Sequence, residues 1–181
     1  MTSEKNRQLL WCTGFNGFKQ LVNGKGWKDS VPDNVAIISI NNSKYAHVED
    51  EYHIFSSADN VLNLDFDDID PIALDLDENT EIHTYNTAYG DNTIQFFTDK
   101  MASDAVNFID RNIDKDFYIH CSAGVSRSQA FVRYISTTYF NHTWFVNSEN
   151  PCRHPNCFVV AKLNKLARMK FFNGVKNPYE E

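Results

Sequence analysis

Phe117-Tyr118-Ile119-His120-Cys121-Ser122-Ala123-Gly124-Val125-Ser126-Arg127-Ser128 is the stretch that decides the fold. Its first three residues form a short apolar run of the kind a buried strand uses. The small residues Ser122 to Ser126 break that pattern, and Gly124 can take a backbone conformation closed to other residues. Beyond them Phe131, Tyr134, Ile135 and Thr138 fall on one helical face. Strand, tight loop and helix in that order make one α/β unit.

Working upstream, Val35-Ala36-Ile37-Ile38-Ser39-Ile40 is a continuous apolar run between Pro32/Asn34 and Asn41-Asn42, and reads as a buried strand. Val61-Leu62-Asn63-Leu64-Asp65-Phe66 alternates apolar and polar residues and ends in Asp67-Asp68, a second strand. Residues 69–90 are acidic and aperiodic, which predicts a long surface excursion and a candidate active-site flap. Ile94, Phe97, Met101, Ala105, Phe108 and Ile109 are spaced by three and four. They predict an amphipathic helix with Asp91 to Thr93 as cap candidates. Downstream, Asn150-Pro151 and His154-Pro155-Asn156 interrupt the chain. A last helix is expected from about Phe158 to Met169, with Val159, Leu163 and Leu166 on one side and a loose tail after it. The expected architecture is one α/β domain over residues 1–181, its core about 35–168, with a mostly parallel sheet flanked by helices in three layers.

At 181 residues the chain can bury one core, and 42% hydrophobic residues rule out a disordered chain. The start is polar, without an apolar leader, and no apolar run reaches the ~20 residues that span a bilayer. A cytoplasmic protein with no membrane partner is expected. The net charge of −7, with acid concentrated between Glu49 and Glu81, argues against nucleic acid as a partner. The four cysteines, Cys12, Cys121, Cys152 and Cys157, are then expected as thiols, each needing its own explanation.

Cys121 has one in chemistry. A thiol that attacks phosphate esters must be ionised, and a helix N-terminus and a nearby cation both favour the thiolate. Cys121 ends a strand before a helix, with Arg127 six residues on. The phosphoryl group must also be held. Ser122, Ala123, Gly124, Val125, Ser126 and Arg127 can turn backbone N–H groups inward as an anion nest. Equatorial oxygens gain charge in the transition state, and the planar guanidinium of Arg127 can match them with two parallel hydrogen bonds where a lysine could not. Ser128 can bring a hydroxyl to the Cys121 sulfur when it leaves as thiolate.

His120-Cys121-x5-Arg127-Ser128 resembles the signature of the protein tyrosine phosphatase superfamily. With Ala123, Gly124, Val125 and Ser126 between, it looks like the dual-specificity branch. Phe108-Ile109-Asp110 is similar to a Phe-Ile-Asp of that branch. His154-Pro155-Asn156 with Phe158 and Leu163 resembles the opening of one of its later helices. Val61 to Ile69, containing Phe-Asp-Asp-Ile, resembles small bacterial and phage members. The resemblance covers roughly residues 35–168. It implies a central sheet of four or five strands, no cofactor, a phosphocysteine at Cys121, and a phosphorylated protein or peptide as substrate. Phosphotyrosine is the first substrate it implies, with phosphoserine and phosphothreonine alongside. A lone cysteine is most often a core residue; the nine-residue block outweighs that reading here.

The resemblance further implies an Asp as general acid. Asp91 lies thirty residues before Cys121, the separation usual in the family, and Asp68 fifty-three. Asp68 nevertheless ends a strand, as the family's acid does, and an insertion at 69–90 absorbs the extra length cheaply. The expected order is Asp68, then its neighbour Asp67, then Asp91. Cys152, His154 and Cys157 offer three zinc ligands where a structural site needs four, so no metal is expected. His47, His53 and His83 read as surface residues. Competing functions are a phosphoinositide or RNA-phosphate phosphatase, disfavoured by the uncharged loop, and a phosphate-binding module without turnover.

Overall fold

The computed structural model describes residues 8–27, 30–44, 52–88, 90–139, 144–148 and 154–174, with side chains for fewer in the strand at 144–148 and at 172–174. Five strands form one parallel sheet in the order β3-β2-β6-β1-β7. They are β1 (Gln8–Gly14), β2 (Val35–Asn41), β3 (Val61–Asp65), β6 (Asp116–Cys121) and β7 (Trp144–Ser148). All seven residues of β2 are buried, as expected for a strand covered on both faces, and this is why it lacks alternation.

Helix α1 (Phe15–Lys25) covers one face, where Phe18 and Val22 pack with Trp11, Ile37, Val61 and Tyr118. On the other face α2 (Asp99–Arg111), α3 (Arg127–Thr138) and α4 (Cys157–Gly174) enclose the larger core, built on Leu10, Ile38, Ile40, Phe97, Ile109, Phe131 and Leu163. Three layers result, with β6 inserted between β1 and β2. That insertion places Cys121 at the middle of the carboxyl edge of the sheet, level with Gly14. Open parallel sheets bind ligands along that edge. Among the described residues, no helix is long and apolar enough to cross a membrane.

Three sequence expectations need correction. The sheet begins at Gln8, well upstream of residue 35, because Leu10-Trp11-Cys12 is a short apolar run that β6 and β7 bury from both sides. The helix expected from Asp91–Thr93 starts instead at Asp99, where the Thr98 side chain accepts a 3.1 Å hydrogen bond from the Met101 amide. Asp91 and Ile94 lie in β5 (Gly90–Gln95), which pairs antiparallel with β4 (Ile82–Thr87). The excursion at 69–90 therefore carries a short 3₁₀ turn at Ile72–Leu74 and one arm of a hairpin. The hairpin is rooted at Asp67, whose amide donates to Gln95 O (2.8 Å) and whose carboxylate accepts from Gln95 N (2.9 Å).

Helices α2 and α4 are joined by Lys162, whose side chain is only 5% exposed and whose Nζ lies 2.5 Å from Asp99 Oδ1. Removing one partner of such a pair leaves a charge in the core, whereas an apolar isostere does not. Asp99→Ala is expected to lower unfolding free energy by about 2–4 kcal/mol in urea titrations. Lys162→Met should cost less than half of that.

Candidate active site

Residues Cys121 to Arg127 form the turn from β6 into α3, and its shape follows from where its carbonyls go. Ser122 O accepts from Phe15 N (3.0 Å), Val125 O from His154 N (3.1 Å), and Ser126 O from Asn156 N (3.3 Å) and Ala130 N (3.0 Å). Gly124 O accepts from Gln129 Nε2 at 3.0 Å. In a trans peptide the next N–H points opposite to the carbonyl. Carbonyls bound by flanking elements therefore turn the following amides toward the inside of the loop. One amide's contact is explicit: Gly124 N donates to Cys121 Sγ at 3.2 Å.

Gly124 has φ +74°, and a Cβ there would stand 2.5 Å from both Gly14 N and the carbonyl carbon of Thr13. Only glycine lets the loop lie this close to the end of β1.

Cys121 is buried, 2% exposed, and its sulfur lies 3.2 Å from Ser128 Oγ. Cys12 donates its S–H to the same oxygen at 3.2 Å and itself accepts from Gln129 Nε2 at 3.3 Å. Ser128 Oγ accepts from Cys12 and keeps its own proton, which it can donate to the Cys121 sulfur when that sulfur is a thiolate.

Arg127 is 4% exposed and held at the carboxyl ends of two strands. Nη1 donates to Asn41 O (3.0 Å) and to Phe66 O (2.7 Å), and Nη2 donates to Ser122 Oγ (2.7 Å). Among the described residues Nε, which is buried, has no hydrogen-bond partner and the guanidinium makes no ion pair. A buried cation without a carboxylate suits an anionic ligand at its Nε/Nη2 edge.

The three acid candidates sit in different surroundings. Asp68 Oδ1 accepts from Ser126 Oγ (2.8 Å) and Asn156 Nδ2 (2.9 Å), so its carboxyl stands at the rim of the Cys121 loop. Asp67 is occupied structurally, accepting from Ser43 Oγ (2.7 Å), Ser43 N (3.2 Å) and Gln95 N (2.9 Å). Asp91 is exposed on β5 opposite Asn86, in the hairpin. Of the zinc cluster considered above, Cys152 lies outside the described residues, and His154 and Cys157 are exposed. His154 meets the loop through its backbone amide. Among the described residues no three His, Cys, Asp or Glu side chains are grouped to hold a metal ion.

Sequence reasoning did not single out Asn156, Cys12 or Gln129 as site residues. Asn156 stood inside the His-Pro-Asn break, which was the one available signal; Cys12 and Gln129 had none.

His120 is fully buried, with its ring stacked on Phe18 at 4.3 Å. Burial above all, then the nearby His53 and Arg127, pushes its pKa down to about 3.

No protein-family model, curated protein or solved structure matches the chain. Its chemistry is read from its own geometry.

Gly124→Ala is expected to destabilise the protein by about 1–3 kcal/mol through strain at positive φ and the backbone clash. The loss should be visible in thermal melts. His120 gives a pH signature. Between pH 6.5 and about 3 the unfolded chain binds a proton at this ring that the native state refuses. Stability contributed by the neutral ring is therefore complete above pH 6.5 and falls as pH drops, by at most about 1.4 kcal/mol per pH unit. His120→Gln should flatten that part of the stability–pH curve relative to wild type.

Proposed function

We propose that the protein is a cysteine-dependent phosphomonoesterase, resembling the dual-specificity branch of the tyrosine phosphatases. It acts on phosphotyrosine in proteins or peptides, and on phosphoserine and phosphothreonine. The observation that carries this reading is the hydrogen bond from Ser126 Oγ to Asp68 Oδ1. It joins a carboxyl group from the end of β3 to the loop that holds the thiol and the buried arginine.

In the proposed reaction the Cys121 thiolate attacks phosphorus in line with the ester oxygen. The S–P bond forms as the P–O bond breaks, and Asp68 gives its proton to the departing alkoxide or phenoxide. Arg127 and the loop amides bear the charge on the equatorial oxygens. Water, deprotonated by Asp68, then attacks the phosphocysteine. The S–P bond breaks, and the Ser128 hydroxyl stabilises the returning thiolate.

Support for Asp68 over its rivals is that Asp67 is tied into the hairpin root, while Asp68 Oδ2 carries no hydrogen bond among the described residues. One oxygen is anchored and the other is available for proton transfer. Residues 69–91 contain six acids and no lysine or arginine, and Asp75, Asp77, Glu78, Glu81 and Asp91 are exposed. That surface disfavours polyanionic substrates such as phosphoinositides and RNA.

Purified protein is expected to hydrolyse an aryl phosphate and to lose that turnover entirely in Cys121→Ser. Asp68→Ala should lower kcat about a hundredfold on poor leaving groups and less on good ones. Asp91→Ala should change little. Tight phosphopeptide binding without turnover would instead make the protein a binding module, and a loss specific to Asp91→Ala would transfer the acid role.

A further inference from the structure

The β4–β5 hairpin is a sheet of two strands, separate from the five-stranded sheet. One of its edges, the outer side of β5, is tied down where Gln95 meets Asp67. The other edge belongs to β4, and the register shows which of its backbone groups face outward. Phe96 N donates to Glu81 O at 2.9 Å, so that pair bonds inward. Antiparallel ladders alternate bonded and non-bonded pairs. His83/Ile94, Tyr85/Asn92 and Thr87/Gly90 therefore bond inward too, and Ile82, Thr84 and Asn86 point their N–H and C=O groups away from β5. Gln95, the partner of Ile82, has the same parity: its N–H and C=O turn outward, to Asp67. Among the described residues no third strand or loop bonds to the backbone of Ile82, Thr84 or Asn86.

Proteins usually blunt an open edge with lysine, proline, a charge or a bulge. Here none of these is present. Ile82-His83-Thr84-Tyr85-Asn86-Thr87 contains no acid, lysine, arginine or proline, and its six pairs with β5 run without a bulge. Ile82 is 50% exposed and Tyr85 41%. An uncharged edge with half-exposed apolar side chains is a template for one more strand.

Charge decides which strand. Glu81 leads into β4 and Asp91 stands opposite Asn86; both are exposed, and neither is in an ion pair among the described residues. Residues 69–91 hold four further acids, of which Glu78 alone is ion-paired, with Lys165 at 3.3 Å. A second copy of the chain would bring the same acids against these, because a two-fold pairing sets like against like. A segment alternating basic with β-branched residues fits both the edge and its charge.

We propose that β4 is a docking edge that takes an extended, basic and apolar segment of a partner protein as an added strand, and that this partner is the phosphoprotein substrate. The second half rests on the phosphatase reading; the first does not. The hairpin is rooted on Asp67, next in sequence to Asp68. A substrate held on β4 is thus tethered beside the loop, which raises its local concentration without adding a group to the chemistry.

The probe is a short, unphosphorylated, fluorescein-labelled peptide alternating lysine with valine, read by anisotropy, with glutamate in place of lysine as control. The full chain should bind the lysine peptide and not the glutamate peptide, less tightly as salt rises. Thr84→Pro removes one outward N–H and leaves the inward pairs. It should weaken binding about tenfold and leave aryl phosphate turnover unchanged. Glu81→Lys keeps every backbone bond and should weaken binding about threefold, so the test does not hang on how the hairpin tolerates proline. A phosphotyrosine peptide extended by the lysine–valine segment should have a lower KM than the bare phosphopeptide at equal kcat, a difference that Thr84→Pro removes. Equal binding of both peptides, or undiminished binding in both variants, would overturn the docking edge. A wild-type dimer in sedimentation that Thr84→Pro dissociates would overturn it too, giving the edge to a second copy. Equal KM with and without the segment would overturn the assignment to substrate. Peptide binding as expected, with no turnover of any phosphopeptide, would sink the phosphatase reading and leave the edge standing; turnover without peptide binding would do the reverse.

Discussion

Everything at the carboxyl edge of the sheet depends on backbone lying against backbone where β6 leaves the sheet beside β1. Gly124 meets Thr13 and Gly14 with no room for a Cβ, and a Cβ on Gly14 would in turn stand 3.0 Å from Ser122 O. This contact lets Phe15 N reach Ser122 O, so α1 and the loop share one hydrogen bond. Once the loop is pressed against β1, its other carbonyls can be taken by Gln129, His154 and Asn156, and the opposite amides face inward. The shape of the loop is thus a result of sheet order: β6 must sit between β1 and β2 for both flanks to supply partners.

The sequence was most legible where chemistry and periodicity coincide. The change from apolar run to small residues to helical spacing at 117–138 located β6, the loop and α3, and with them Cys121, Arg127 and Ser128. The fold was harder to read where local signals are short or misleading. Leu9 to Cys12 is only four residues long and carries no β-branched side chain, so β1 is hard to read from the sequence although β6 and β7 bury it. Ile94 and Phe97 happen to continue the spacing of α2, yet both precede Thr98: backbone pairing with β4 overrides the side-chain pattern for Ile94, and Phe97 packs against Phe66 from the connector. His53 read as a surface residue because its partners, Ser39 and Asp65, are 14 and 12 positions away, and only the strand register makes them neighbours.

Choosing among the acids shows why position in a fold outranks spacing in a chain. Asp67 and Asp68 are adjacent in sequence yet face different structures: one is tied to Ser43 and the base of the hairpin, the other to Ser126 and Asn156. The hairpin inserted at 82–95 does not displace Asp68 from the loop, because its root bonds to Asp67 and leaves Asp68 on the loop side. Asn156 comes from the segment before α4, so β3, the loop and α4 are brought to one carboxyl oxygen.

The buried charge of Arg127 bears most directly on what this edge is for. Its side chain is held by carbonyls of Asn41 and Phe66, which solvate a cation without neutralising it. Burying a guanidinium this way is costly unless an anion completes its surroundings. A protein selected for stability alone would do better with an apolar residue here, packing against Phe66, whose ring centre lies 5.9 Å from the guanidinium carbon. The retained charge, the unpartnered Nε and the inward amides all favour a tetrahedral oxyanion at the mouth of the loop, with the Cys121 sulfur beneath it. An anion bound there would offset the cost of the buried charge.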